Sequence, residues 1–187
     1  VNRNLTVQNG ATVINGAANA THQMTVTGNI VNNGTLNLSA TANRICNLTL
    51  NRDGNQDISG SGATTFFNRI TMNMGTSSSN ILEISTNTFA VRPTNFLTLT
   101  NGTFKLSSPC GTITPFTGAT TLSTSTSIWL NHASSTLIFG NTITLYSNLR
   151  TSAGTLNVGN ATNENLIVNG GTVTVDGGNL NVAGRLA

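Results

Sequence analysis

Only one pair of carboxylates stands close together in this chain: Asp53 and Asp57, in Asn51-Arg52-Asp53-Gly54-Asn55-Gln56-Asp57. Glycoside hydrolysis requires two carboxylates about 5 to 9.5 Å apart, one to donate a proton and one to attack or to activate water. Gly54 and Asn55 between them argue for a turn instead, because Asp and Asn bond their own backbone there. His22 and His132 lack a local Ser-Asp or metal-ligand spacing. Asp176-Gly177-Gly178-Asn179 resembles one copy of a calcium-binding glycine-rich repeat, but such a site needs stacked copies. Cys46 and Cys110 form no CxxC motif and stand more than two coils apart, so they are expected to be free, small, buried hydrophobes. With five carboxylates and two histidines in 187 residues, acid and base roles are short of candidates. No catalytic residue, cofactor site or metal site is expected, and the chain reads as no enzyme.

Threonine offers a different chemistry. Thr25-Val26-Thr27, Thr98-Leu99-Thr100, Thr112-Ile113-Thr114, Thr142-Ile143-Thr144 and Thr172-Val173-Thr174 place two hydroxyls on one side of a strand and an aliphatic chain on the other. Stacked on one flat face, such words order water, as in ice-binding solenoids. Outward threonine is also what a half-buried strand prefers. Asn-x-Ser/Thr words at Asn4, Asn19, Asn33, Asn47, Asn101 and Asn160 have the form of glycan acceptors, although a chain this rich in Asn and Thr produces them by chance.

The elements that would position these groups follow from composition. Charged residues make up 7% and apolar residues 37% of the chain, where an ordinary domain is about 25% charged. Neutral polar groups must therefore carry solubility, while evenly spread Leu, Val and Ile argue for a repetitive core rather than disorder. The net charge is +3, from eight scattered basic and five acidic residues with Lys105 the one lysine. Nucleic-acid binding needs clustered cations, so none is expected. Apolar runs last only a few residues, and membrane insertion by a helix would need about 20.

Repeats set the architecture. Gly34-Thr35-Leu36-Asn37-Leu38 recurs as Gly102-Thr103-Phe104-Lys105-Leu106, Gly154-Thr155-Leu156-Asn157-Val158 and Gly178-Asn179-Leu180-Asn181-Val182, with Gly171-Thr172-Val173-Thr174-Val175 a fifth version. These spacings fit coils averaging about 23 to 26 residues. Within the words aliphatic and polar residues alternate, as in Leu5-Thr6-Val7, Met24-Thr25-Val26 and Leu48-Thr49-Leu50, which is the period of a half-buried strand. Corners are marked by Asn9-Gly10, Asn15-Gly16, Asn33-Gly34, Asn101-Gly102 and Asn169-Gly170-Gly171. Near the C-terminus strands recur about every seven residues, tighter than the eight to twelve of a sandwich. The expected fold is all-β: one right-handed parallel β-solenoid of about seven to eight coils over 1–187, with asparagines stacked in ladders. All three prolines, Pro93, Pro109 and Pro115, fall in 92–116 near Phe89, Phe96, Phe104 and Phe116. A loop or bulge, or an aromatic plug, is expected there because proline cannot donate into a ladder.

The phrases Ile58-Ser59-Gly60-Ser61-Gly62-Ala63-Thr64-Thr65-Phe66-Phe67-Asn68-Arg69-Ile70-Thr71-Met72-Asn73 and Val26-Thr27-Gly28-Asn29-Ile30-Val31-Asn32-Asn33-Gly34-Thr35-Leu36-Asn37-Leu38 resemble β-strand repeats of large secreted surface proteins of the Bacteroidota type. The resemblance covers most of the chain outside the proline region and implies an extracellular, adhesin-like or structural protein at the cell surface. A chain opening on Val1, with neither initiator Met nor signal peptide, is expected to be a mature product or a piece of an exported precursor. The expected partners are copies of itself stacked end to end or neighbouring solenoid repeats, with surface glycans a further candidate and polysaccharide cleavage the least favoured alternative.

Overall fold

The computed structural model describes residues 3–187; Val1 and Asn2, the start of the strand-like opening, lie outside the described residues. Every regular element described is a strand. Coil 1 holds β1 (Leu5–Val7), β2 (Thr12–Ile14) and β3 (Ala20–Val26); coil 2 holds β4 (Ile30–Asn32), β5 (Thr35–Asn37) and β6 (Arg44–Leu50). Coil 3 holds β7 (Gln56–Ser59), β8 (Thr64–Phe67) and β9 (Ile70–Asn73). Coil 4 holds β10 (Ile81–Ile84), β11 (Ala90–Val91) and the first half of β12 (Leu97–Leu106), whose second half opens coil 5 ahead of β13 (Thr112–Phe116) and β14 (Thr120–Leu122). In coil 6, β15 (Thr126–Phe139) rounds a corner before β16 (Ile143–Leu145); in coil 7, β17 (Asn148–Val158) does so before β18 (Leu166–Val168). β19 (Thr172–Val175) and β20 (Asn179–Val182) begin coil 8.

Strands of successive coils pair in parallel, so each of coils 1–7 contributes a strand segment to each of three faces. Face 1 runs unbroken as β1-β4-β7-β10-β12-β15-β17-β19. Along it Leu5 lies beside Ile30, then Ile58, Ile84, Leu106, Leu130, Thr151 and Val175, in steps of unequal length that are normal for a solenoid coil. The expected parallel solenoid, of about seven turns, is the observed fold. Face 2 is made of β2-β5-β8-β11 and then β13, β15, β17 and β20. Face 3 is made of β3-β6-β9-β12 and then β14-β16-β18. Among the described residues no ladder joins β11 to β13, or Leu97–Asn101 of β12 to β14. The junction between coils 4 and 5 therefore has a continuous strand ladder on face 1 alone.

The recurring five-residue words are strands, but they do not form one column. Thr35, Thr155 and Asn179 lie on face 2, whereas Thr103 and Thr172 lie on face 1. What recurs is the chemistry of leaving a glycine corner and entering a strand, and the average period survives because the chain meets such corners on more than one side. At Gly60 φ is +114°, and a Cβ there would stand 2.2 Å from the carbonyl oxygen of Asn32, because backbone of successive coils meets at the corner.

The core is a stack of inward aliphatic columns, as the alternation requires. Leu82, Phe104 and Ile128 follow one another on face 1 without exposure, and each contributes about 1.5–3 kcal/mol by burial. The proline region combines what the sequence suggested. Pro93 and Pro109 lie in non-strand segments, 92–96 and 107–111, and Pro115 sits where the β13–β15 register shifts. Between them the chain returns to the sheet as β12. Phe67, Phe89, Phe96 and Phe104 run through the core as a chain of tilted and edge-on rings with centroids 6.0 to 6.3 Å apart.

Candidate functional site

Asp53 and Asp57 are kept apart in role by the corner between them. Asp53 is exposed and accepts a hydrogen bond from the Asn80 side chain, 2.9 Å away in the next coil. Asp57 lies in β7 and accepts from Ser59 Oγ at 3.4 Å. Between the two, Gln56 turns inward: its amide donates to the carbonyls of Val26 (3.1 Å) and Gly28 (2.7 Å) and accepts from Arg52 N–H, so the segment ties two coils together. His22 is exposed on β3 beside Cys46 of coil 2. His132 Nδ1 lies 3.2 Å from Ser134 Oγ and 3.4 Å from Ser135 Oγ, with the Ser135 hydroxyl already donated to the Ser108 carbonyl. Ser135 Oγ also accepts from Cys110 N–H. Both cysteines are free, and burial pushes each thiol above its ordinary range, which leaves them protonated and poor nucleophiles. Asp176-Gly177-Gly178 is a corner, with Gly178 at φ +75°. Among the described residues no three His, Cys, Asp or Glu side chains gather as metal ligands.

The paired threonine words do not stack on one face. Thr25 and Thr98 are on face 3, Thr112 on face 2, Thr144 on face 3 and Thr172 on face 1. What stacks is single threonines: Thr25-Thr49-Thr71-Thr98 and Thr121-Thr144 on face 3, and Thr12-Thr35-Thr64 and Thr112-Thr136-Thr155 on face 2. A regularity shared by two faces is what β-branched side chains in register give any parallel stack. The asparagine ladders are likewise mostly of another kind. Amide meets amide at Asn47–Asn68, Asn73–Asn101 and Asn157–Asn181. More often Oδ1 accepts a backbone N–H of the next coil, as Asn4 does from Asn29, Asn55 from Ile81 and Asn165 from Arg185. Of the glycan-acceptor words, Asn4, Asn19 and Asn160 are exposed and Asn33, Asn47 and Asn101 are half-buried.

Sequence reasoning missed the most distinctive surface. On the outside of face 1, register brings Asp57, Glu83, Lys105, Trp129 and Arg150 into one column, with Asp176 beside Arg150. Lys105 Nζ lies 2.9 Å from Glu83 Oε1 and 4.2 Å from the Trp129 ring centre. The Arg150 guanidinium lies 4.3 Å from the same centre and binds Asp176, with Nε at 3.0 Å. Trp129 Nε1 donates to Ser152 at 2.8 Å. Burial works against ionising Glu83, but Lys105 and Ser107 outweigh it and hold its carboxyl below the ordinary value. Arg150, and then Ser152, do the same for Asp176. Both carboxylates are thus fixed in the ionised form, unsuited to donate a proton near neutral pH. Each of these residues belongs to a different coil, so only knowledge of every coil's length would have gathered them.

Comparison of the chain with protein-family models, with curated proteins and with solved structures returns no match in any of the three.

Proposed function

We infer that this solenoid is a stiff structural spacer of an extracellular surface protein, whose outer faces present neutral polar side chains and one short charged ridge. The observation that supports it best is the uninterrupted eight-strand ladder of face 1 over a buried, mostly aliphatic stack, a geometry that holds distance and direction well. At one end, among the described residues, β1, β2 and β3 have an unpaired edge above half-buried Leu5, Val13 and Met24. At the other, Val175 of β19 is 51% and Leu186, beyond β20, 65% exposed. Such edges recruit strands. In this reading further turns cover them, supplied by the same polypeptide or by a second copy stacked head to tail.

Electron microscopy of the purified chain at high concentration tests the stacking. Fibres that Leu180→Asp abolishes support it, and single monodisperse particles remove it. Adhesion to surface glycans is tested on a glycan array. Polysaccharides incubated with the chain should stay uncleaved; turnover lost in Asp53→Asn or Asp57→Asn would overturn the non-enzymatic reading. The ice-binding alternative draws on the threonine columns of face 3, but Arg69 lies beside that column, one residue before Ile70. Thermal hysteresis should accordingly be absent.

A further inference from the structure

The junction of coils 4 and 5 differs from every other junction in how it is bonded. On face 1 it is ordinary: Ile81–Ile84 pair with Thr103–Leu106, Thr103 N–H donates to Asn80 and Ser107 N–H to Ile84, each at 2.8 Å. Outside that sheet the Glu83–Lys105 ion pair crosses the same junction. On face 2 the strand ladder is replaced by two separate bonds, Phe89 N–H to Pro109 O at 3.2 Å and Asn95 N–H to Thr114 O at 2.8 Å. On face 3 no backbone hydrogen bond among those described joins Leu97–Asn101 to β14. Leu99, an inward residue, is only half-buried there, whereas Met72, its neighbour one coil earlier, is wholly buried. Asn95 at this junction is also the one non-glycine residue described with positive φ, at 58°.

We propose that this junction is a hinge: coils 1–4 and coils 5–8 are two rigid bodies that swing about the face 1 sheet, opening faces 2 and 3 between them. Three physical points favour the swing over separation or rigidity. Ladder bonds resist separation on one side only. On face 2, Pro109 before β13 and Pro115 within it lack the N–H that a continuous ladder would need. Inside, the halves meet through the edge-on contact of Phe96 with Phe104, which packs well closed but does not lock a backbone register. Solenoids are stabilised junction by junction, so the one with fewest contacts opens first and without unfolding either neighbour. A rod with such a joint keeps its two halves stiff while letting them reorient, and a pull along the axis would be taken up here before any coil unwinds. The hinge follows from the bonding pattern, whether or not the rod is a surface spacer.

Residue-resolved native-state hydrogen exchange on the full chain is the test. The amides of Phe89 and Asn95, bonded across the junction, should exchange about 100-fold faster than those of Gly62 and Gly140, which make equivalent inter-coil bonds to Asn32 and Phe116 within the halves. The amides of Thr103 and Ser107, on face 1 of the junction itself, should remain as slow as Gly62 and Gly140. Equal protection of all six overturns the proposal by making the rod one body. Fast exchange at Thr103 and Ser107 as well overturns it by showing that the halves part altogether.

Discussion

Coils 1–4 and coils 5–8 solve the same geometrical problem with different corners. In coils 1–3 each face has its own strand, and face 1 steps from Leu5 to Ile30, Ile58 and Ile84 in coils of similar length. Corners there are separate turns closed by side chains turned inward: Gln56 between faces 3 and 1, and Asn32 between faces 1 and 2, whose amide donates to Thr64 O and Thr65 Oγ1. Arg92 adds a staple from coil 4 to Ser39 of coil 2, its Nε 2.6 Å from Ser39 Oγ, passing over the Phe66 ring. In the second half β15 and β17 run around the corner as strands of 14 and 11 residues. The coil that steps from Leu130 to Thr151 is correspondingly short. Its support lies outside, in the Glu83-Lys105-Trp129-Arg150-Asp176 ridge. A solenoid coil is thus closed either by buried amides that replace a missing ladder or by letting the ladder itself turn the corner.

The heaviest loss is expected at the junction between the halves. Phe104→Ala removes a fully buried ring and should destabilise the chain by about 3–5 kcal/mol, lowering the unfolding midpoint of both halves in denaturant. Gln56→Ala should cost about 2–3 kcal/mol, because it leaves two buried carbonyls and the Arg52 amide without partners, and should weaken the first half alone.

These two positions also show what the sequence could and could not disclose. Phe104 sits in an alternating word, so its burial followed from period two. Gln56 reads as a turn residue beside two aspartates, and only the length of the coil below decides that its amide points inward. The same holds for the ridge. Alternation within its word places Lys105 outward, but its alignment with Trp129 and Arg150 depends on unequal steps from one coil to the next that no single motif encodes. The break in face 2 was partly legible, since prolines cannot donate to a ladder, whereas the break in face 3, where no proline stands, and the continuity of face 1 through the same stretch were not.

Milder substitutions separate the halves as well. Trp129→Ala should cost about 1 kcal/mol, the scale of exposed cation–π contacts, and should be felt only in coils 5–8. The carboxyls of Glu83 and Asp176 are held below their unfolded values, so the stability they contribute is fully present above the unfolded carboxyl range. It is lost as pH falls through the folded values. Thermal melts should therefore be flat near neutrality and fall below about pH 4, with the loss in coils 4–8 reduced in Glu83→Gln. Thr71→Val on the outside of face 3 should change stability by less than about 0.5 kcal/mol.

The division of the rod is tested most directly by two residues already in place. Trp129 in coil 6 reports the second half by its fluorescence, and in a Cys110→Ser background Cys46, buried in coil 2, reports the first by its protection from a thiol reagent. Equilibrium unfolding in urea followed by both should give two transitions with separate midpoints, and Gln56→Ala should move the Cys46 transition while leaving that of Trp129 in place. A single transition, coincident for both probes and shifted as a whole by Gln56→Ala, would contradict two bodies joined by one sheet.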